Sequence, residues 1–227
     1  MTADMSLVSG TQTLLDELLA SGGKFDVLMN NVGLLLNDLD VTAEGKEVSF
    51  VTNVLSHYQL TEGLLRNDGF KDGAAIINMT SGGMYNAPLG TRGLNVTKPE
   101  KYNGKAAYAY AKRAQVALTG YWDDKYREKG IRSYVTHPGW AKTPGVKTAL
   151  PVFWKLQNVV LRTPLQGGDT ALWLCMERPE ESGGDGVWFD RGYRGGHMYD
   201  FTRKSQCTVD ELVAYLEEEL SSASVAD

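Results

Sequence analysis

Cysteine is scarce in this sequence, and no set of metal ligands is evident in it. Cys175 and Cys207 are its only cysteines. Two cysteines do not make a disulfide framework, and Cys175 lies in the apolar run ALWLCM, which is typical of a buried thiol. His57, His137 and His197 show no metal-ligand spacing with one another or with the cysteines. The sequence therefore indicates neither a disulfide scaffold nor a metal centre.

Basic residues are in the minority, and long apolar runs are missing. The 23 lysines and arginines are outnumbered by 28 aspartates and glutamates and form no basic stripe, which argues against a nucleic-acid partner. No apolar run approaches the length that spans a membrane, and the N-terminal MTADMSLVSG lacks the features of a secretory signal. We therefore expect a cytoplasmic protein without a transmembrane segment. Its 227 residues allow one large domain, over 1–227.

The 25 glycines form none of the familiar phosphate-binding patterns. There is no G-x-x-x-x-G-K-[ST] loop and no G-x-G-x-x-G turn. A serine hydrolase built on Ser81 and His137 is conceivable, but Met79 occupies the first glycine position of the G-x-S-x-G elbow. The sequence thus argues against a P-loop nucleotide site and disfavours a serine hydrolase.

Short apolar runs alternate with segments of helical periodicity. The runs interpreted as buried strands are FDVLMNNVG (25–33), GAAIINMTSGG (73–83), GIRSYVTHPGW (130–140) and GDGVWFD (184–190). Helices are predicted over 11–23, 40–66 with Thr42 as N-cap, 105–129, 167–179 and 208–220, with a loop over 85–105. This alternation favours an α/β fold with a parallel sheet.

One predicted helix carries Tyr108 and Lys112, four residues apart and therefore on the same face. A nearby ammonium favours the phenolate, so we expect the pKa of the Tyr108 hydroxyl to fall towards neutral pH. A phenol with such a pKa can exchange a proton with a carbonyl or alcohol oxygen. The spacing alone is a weak signal, because tyrosine and lysine are common in helices and both can serve packing.

Three polar turns, NNVG, TSGG and HPGWAKT, each follow a predicted strand and should face one crevice. Ser81 could hydrogen-bond a substrate oxygen there, or it could merely cap a turn. Asn53 could turn inward to hold a water and a backbone carbonyl, or lie on the surface. Thr143 could donate to a carboxamide or a phosphate, although most threonines after a Pro-Gly turn do neither.

Taken together, these residues resemble the short-chain dehydrogenase/reductase family. The matching segments are NNVG (30–33) for its NNAG, EGKEVSFVTNVLSHYQLT (44–61) for its asparagine-bearing helix, IINMTSGG (76–83) for its serine, YAYAK (108–112) for its YxxxK, and HPGWAKT (137–143) for its PG-x-x-x-T. TPLQGGDTALWL (163–174) is similar to the helix after the substrate loop, and GVWFDR (186–191) resembles DHRS-type and retinol-dehydrogenase-like members. Five motifs in the family order are a specific signal.

The resemblance implies an NAD(P)-dependent oxidoreductase built on a Rossmann-like parallel sheet with helices on both faces. Tyr108 would be the acid/base at the carbonyl oxygen, and Lys112 would lower its pKa and hold the nicotinamide ribose. Ser81 would steady the substrate oxygen, and Asn53 would hold a water in a proton relay. The implied cofactor, NAD or NADP with NADP slightly preferred, would contact Asp4, Asn30, Gly33, Tyr108, Lys112, Pro138, Gly139, Ala141 and Thr143.

The family begins with a strand, a glycine-rich turn and a helix that hold the pyrophosphate, and this pattern has no counterpart here. ADMS (3–6) resembles the acidic end of the family's third strand. We therefore expect an N-terminally truncated fold with sheet order 4-5-6-7 and the strand FDVLMNNV at an open edge. The alternative to an enzyme is a non-catalytic binding or regulatory module that has lost dinucleotide binding.

The resemblance also implies partners. Family members pair through two long helices, here those that carry Asn53 and Tyr108, so a homodimer is expected. Residues 144–166 would form a substrate-loop flap. The apolar side chains of this flap suit a small or apolar carbonyl or alcohol substrate, although a plain packing role is an equal alternative.

Overall fold

The computed structural model describes residues 1–142 and 161–223. A five-stranded sheet runs in the order β1-β2-β3-β4-β5. The strands are β1 (Phe25–Asn30), β2 (Phe70–Met79), β3 (Arg132–Thr136), β4 (Gly186–Phe189) and β5 (Gly192–Gly195). The helices are α1 (Val8–Ala20), α2 (Val48–Phe50), α3 (Ser56–Arg66), α4 (Gly104–Tyr126), α5 (Pro164–Glu177) and α6 (Val209–Ser221), and a π-helical stretch (Val51–Leu55) joins α2 to α3.

The first four strands are parallel and follow the predicted order, with β1 at one edge. Alternate residues of β2 serve two cores, as the period of a strand requires. Ile76 belongs to the core with α3, α4 and α6, whereas Ile77 packs with Leu174 of α5. The predicted α/β class, with a mostly parallel sheet and helices on both faces, is confirmed.

The second predicted helix begins later than its sequence indicates. Thr42 was expected to cap it, but the helix starts at Val48, and the Glu47 carboxylate accepts from the backbone of Ser49 and Phe50 at 2.8 and 2.7 Å. Gly45 lies between, with a φ of +74° that interrupts right-handed helix. The N-cap prediction at Thr42 is therefore wrong.

Strand β5 was not predicted. It follows β4 through a two-residue turn, Asp190-Arg191, in which both residues have positive φ. Such turns usually contain asparagine or glycine, so the sequence carries no ordinary hairpin signal. The turn is held from outside instead: Arg191 donates from its backbone to Thr170 at 3.2 Å and forms an ion pair with Asp169 at 2.6 Å.

Helix α6 packs across the two helices that were expected to form a dimer. Tyr58 of α3 donates to Glu217 at 2.6 Å, and the rings of Phe50 and Tyr215 are 6.0 Å apart. Trp122 of α4 belongs to the same buried core. Thr208 and Glu211 have the sequence spacing of a capping box, and this box forms at the start of α6. Part of the expected dimer surface is therefore covered by the chain itself.

Candidate active site

The helix distortion at Val51–Leu55 carries Asn53 into the interior, where its side chain is fully buried. The Asn53 amide pairs with the backbone of Leu34 in both directions, accepting from its N–H at 3.0 Å and donating to its carbonyl at 2.9 Å. The backbone carbonyl of Asn53 accepts from the Gln115 side chain at 2.8 Å. Asn53 thus ties the loop after β1 to the central helices.

Helix α4 carries Tyr108 and Lys112 on one face, as the four-residue spacing predicts. Asn103 caps this helix by accepting from the backbone of Ala106 at 3.0 Å. The Lys112 ammonium lies 5.5 Å from the centroid of the Tyr108 ring. A Cβ at Gly83 would lie 3.2 Å from two carbons of that ring, so this glycine lets the ring approach the turn after β2.

Ser81 ends the extended segment after β2 and is hydrogen-bonded to the Tyr108 hydroxyl. Burial raises the pKa of the Tyr108 hydroxyl, and the bond to Ser81 opposes that rise. The pKa reduction expected from sequence is therefore wrong for this structure. Desolvation dominates because the ammonium expected to lower the pKa turns to a backbone carbonyl instead.

That ammonium belongs to Lys112, whose side chain is 4% exposed. It donates to the Met79 carbonyl at 2.9 Å, its one hydrogen bond within residues 1–142 and 161–223. Burial lowers the pKa of Lys112 to about 7. An ammonium has three donors, so the geometry leaves room for further acceptors such as hydroxyl groups.

Gly33 lies directly against the buried side chains of Asn53 and Lys112. A Cβ at Gly33 would be 2.9 Å from Oδ1 of Asn53 and 3.3 Å from Nζ of Lys112. A larger residue would fill the space in front of the ammonium. The ammonium, the neighbouring phenol and the glycine together fit the hydroxyl-rich ribose of a nicotinamide nucleotide.

Two of the predicted cofactor contacts have other partners in the structure. The Asn30 side chain is buried and donates to Thr61 at 3.0 Å and to Asn78 at 2.9 Å, joining β1 to β2 and α3. The exposed Asp4 carboxylate accepts from the backbone and side chain of Ser6 at 2.9 and 2.7 Å. Both side chains therefore have structural roles here.

The segment after β3 brings Pro138, Gly139 and Ala141 to the carboxyl end of the sheet. Gly139 has a φ of +69°, and a Cβ there would approach Phe189 to 3.0 Å, so only glycine fits. Ala141 is buried and forms a parallel bridge with Arg162. Thr143 and most of the expected flap over 144–166 lie outside the described residues.

Sequence reasoning missed Gln115 and His57, which support the site from within. The Gln115 amide donates to the Asn53 carbonyl at 2.8 Å and to Nδ1 of His57 at 3.0 Å. Burial, and next the charge of Lys112, lower the pKa of His57 to about 3, so its ring is neutral. Gln115 stands three residues after Lys112, on the same helix face, and that spacing was the available signal.

We expect Gln115→Leu to lower the free energy of unfolding by about 1 to 3 kcal/mol, because it leaves the buried Asn53 carbonyl without its donor. Urea denaturation measures this change. Gln59→Leu is the matched control, since Gln59 bonds only to Gln12 at 3.0 Å among the described residues and does not touch the site. Equal losses in the two variants would contradict a specific role for Gln115.

The described part of the chain shows no metal site and no membrane-spanning helix. No cluster of three or more histidine, cysteine, aspartate or glutamate side chains could hold a metal ion among residues 1–142 and 161–223. Within those same ranges, no helix is both long and apolar enough to cross a bilayer. The functional groups gathered at the site are the phenol of Tyr108, the ammonium of Lys112, the hydroxyl of Ser81 and the amide of Asn53.

Known dehydrogenases and reductases are similar to this chain in sequence. Residues 1–194 match a family model described as enoyl-(acyl carrier protein) reductase. Dehydrogenase/reductase SDR family member 12 of Homo sapiens is 34% identical over 199 residues, which is 87% of this chain and 62% of the relative. Retinol dehydrogenase 12 of Bos taurus is 28% identical over 171 residues, covering 74% and 54% respectively. The chain thus spans less than two thirds of these relatives.

Solved structures show the same fold. An uncharacterised protein from Mycobacterium Paratuberculosis matches with a TM-score of 0.70 and 19% identity, over 96% of this chain and 74% of that chain. The 3-alpha-hydroxysteroid dehydrogenase from Pseudomonas sp. B-0831, solved with NADH, matches with a TM-score of 0.61 and 18% identity, over 78% and 76%. At these identities the likeness concerns the fold alone.

Proposed function

Since the chain belongs to the short-chain dehydrogenase/reductase family, we propose that it transfers a hydride between NAD(P) and a carbonyl or alcohol substrate. The observation that carries this proposal is the contact of Tyr108 with Ser81, next to the buried Lys112. A proton donor, a second hydroxyl and an ammonium then converge at the carboxyl end of a parallel sheet, where such folds bind ligands.

The nicotinamide, when bound, supplies or accepts the hydride at the substrate carbon. For reduction, the Tyr108 hydroxyl gives its proton to the carbonyl oxygen, which becomes the alcohol. Ser81 donates a hydrogen bond to the same oxygen and stabilises the charge that develops there. For oxidation, the phenolate of Tyr108 takes the alcohol proton back.

Lys112 has a proposed role beside this proton transfer: its ammonium would hold the ribose hydroxyls. Gly33, Pro138, Gly139 and Ala141 would form the wall against the nucleotide, together with Thr143. Either NAD or NADP is compatible with this proposal, and NADP is slightly preferred.

We expect the purified chain to oxidise NADH or NADPH in the presence of small aldehydes and ketones, which loss of nicotinamide absorbance measures. The physical reason is the assembled proton donor beside the ribose site. A heat-treated sample and reactions without carbonyl are the controls. A chain that shows neither cofactor binding nor turnover across a broad panel would favour the second candidate.

That second candidate is a non-catalytic binding or regulatory module that has lost dinucleotide binding and uses the crevice or the exposed strand edge. It is motivated by the lack of a glycine-rich phosphate turn within the 227 residues. Along the described chain, β1 also pairs on one side only, with β2. Free strand edges bind other strands. Partner binding that persists in a Tyr108→Phe variant, with a wild-type chain that is inactive, would support this alternative.

Two further expectations remain proposals. A homodimer through the helices of Asn53 and Tyr108 would have to form beside α6, because α6 already contacts Tyr58 and Phe50. Light scattering on the purified chain tests it. A cytoplasmic location is the other, and microscopy of a tagged chain tests that.

A further inference from the structure

An aromatic and cationic group, which we name the Phe189 cluster, lies at the strand ends beside the proposed catalytic residues. It consists of Tyr85, His137, Arg162, Phe189 and Arg194. The His137 ring stacks on Phe189 with centroids 4.5 Å apart and an interplanar angle of 5°, and Tyr85 meets His137 edge-on at 6.1 Å. The guanidinium carbons of Arg194 and Arg162 lie 4.9 and 5.3 Å from the Phe189 centroid.

The two arginines of the cluster differ in their partners. Arg162 pairs with Asp190 and donates to the Gln166 carbonyl at 2.8 Å. The exposed Arg194 makes no hydrogen bond and no ion pair within residues 1–142 and 161–223, and its contact is the Phe189 ring. Its five N–H donors are therefore free to bind an acceptor. No carboxylate of the described residues forms an ion pair with this guanidinium, although the chain has a net charge of −5.

His137 and the neighbouring Arg113 add further donors. Nδ1 of His137 accepts from the backbone N–H of Gly139 at 3.1 Å, which puts the ring proton on Nε2. Behind Tyr85, the buried Arg113 donates to the carbonyls of Met84, Ala87 and Gly196, while its Nη1 atom has no partner among the described residues. Free N–H donors and excess positive charge are the chemistry that binds carboxylate and phosphate oxygens.

Strand register places this cluster next to Ser81. Met79 pairs with Thr136, and Thr136 pairs with Trp188, so Ser81, His137 and Phe189 lie at the ends of neighbouring strands. Strand β4 is two strand spacings from β2, about 10 Å, and the Arg194 side chain reaches from β5 to the Phe189 ring of β4. A ligand of about that length can therefore reach from the Tyr108 hydroxyl to the Arg194 guanidinium.

We propose that the substrate carries an oxyanion, a carboxylate or a phosphate, which Arg194 binds while the reacting carbonyl lies at Ser81 and Tyr108. The proposal rests on the proposed oxidoreductase function for the reacting end of the substrate. His137 follows β3, the strand between β2 and β4, and its Nε2 donor would bind the same oxyanion. Arg194 is thus a specificity-determining residue, and the anion it binds distinguishes acidic carbonyl compounds from their neutral analogues.

Matched substrates test this. We expect the chain to reduce para-carboxybenzaldehyde with a kcat/KM about tenfold or more above that of its methyl ester, the effect of one charge-assisted hydrogen bond. Arg194→Gln should bring the acid-to-ester ratio towards one. Arg203→Gln removes the same charge from an exposed arginine outside the cluster and should keep the ratio. Comparison with para-formylphenyl phosphate decides whether carboxylate or phosphate is preferred.

A binding experiment tests the anion site independently of the proposed oxidoreductase function. Calorimetry with para-carboxybenzyl alcohol and its methyl ester needs no turnover. Selective binding of the acid, lost in Arg194→Gln and kept in Arg203→Gln, supports the anion site even if the chain is inactive. Equal binding of acid and ester by the wild-type chain overturns the anion site, whether or not the chain turns over. A thermal melt confirms that Arg194→Gln is folded.

Discussion

Tyr108→Phe should reduce kcat/KM for carbonyl reduction by about 10³-fold, within the range of general acid catalysis, and leave the fold intact. The substitution removes only the hydroxyl that Ser81 contacts, and keeps the ring that packs against Gly83. Affinity for the nicotinamide nucleotide should change little. Steady-state kinetics and a calorimetric titration on the same preparation measure the two quantities.

Tyr110→Phe is the matched control for that experiment. Tyr110 lies two residues along the same helix, and its hydroxyl meets Gln206 at 3.4 Å rather than Ser81. We expect this variant to retain turnover. Comparable losses in the two variants, or full activity in Tyr108→Phe, would contradict the assignment of Tyr108 as the proton donor.

The second large effect is expected from Lys112→Met, which removes a buried ammonium. Burial lowers the pKa of Lys112 in the folded chain from the model-compound 10.5 to about 7, so between those values the unfolded chain binds more protons. The free energy of unfolding therefore rises with pH across this window, by up to about 1.4 kcal/mol per pH unit, and falls as the pH drops towards 7. Lys112→Met lacks this contribution.

Urea denaturation of wild type and Lys112→Met at several values between pH 7 and pH 10 checks this sign. Relative to the variant, the wild type should gain stability as the pH rises. Lys105→Met, at an exposed position in the first turn of α4, is the control. If the wild type instead loses stability relative to Lys112→Met as the pH rises, burial does not destabilise the charged form of Lys112. Turnover in Lys112→Met should also fall, because the ribose contact is gone.

Much of the fold could be predicted because it depends on local patterns. Runs such as AAIINM are apolar on both faces of a strand, and only a sheet covered on both sides buries them. Thr208 and Glu211 have the spacing of a capping box, and the box forms at the start of α6. Thr42 has an equally good local signal for an N-cap. Glu47 caps the helix instead, because the positive φ of Gly45 interrupts the helical conformation between the two residues.

The parts that could not be predicted depend on tertiary contacts. The turn before β5 is held by contacts with Asp169 and Thr170 of α5, and no local sequence pattern predicts these contacts. The raised pKa of Tyr108 depends on the depth of the site, whereas the sequence shows only that a lysine is near. The inward direction of Asn30 depends on its neighbours Asn78 and Thr61 in the folded chain.

In the candidate site, too, some features can be predicted from local sequence and others depend on tertiary contacts. The four-residue spacing of Tyr108 and Lys112, and the position of Ser81 after a strand, are readable from sequence. The bonds of Asn53 to Leu34 and to Gln115 are not, because they join residues far apart in the chain. The water-holding role expected of Asn53 stays a prediction, since its side chain is committed to Leu34 and its carbonyl accepts from Gln115.

Calorimetric titration of the 227-residue chain with NADH and with NADPH tests the central claim most directly. We expect micromolar binding of at least one nucleotide, and a large loss of that affinity in Lys112→Met, since this ammonium is proposed to hold the ribose. Arg203→Gln, outside the crevice, should bind as the wild type does. No heat of binding at millimolar concentrations of either nucleotide would contradict the account, and it would leave the crevice without the cofactor on which the proposed chemistry depends.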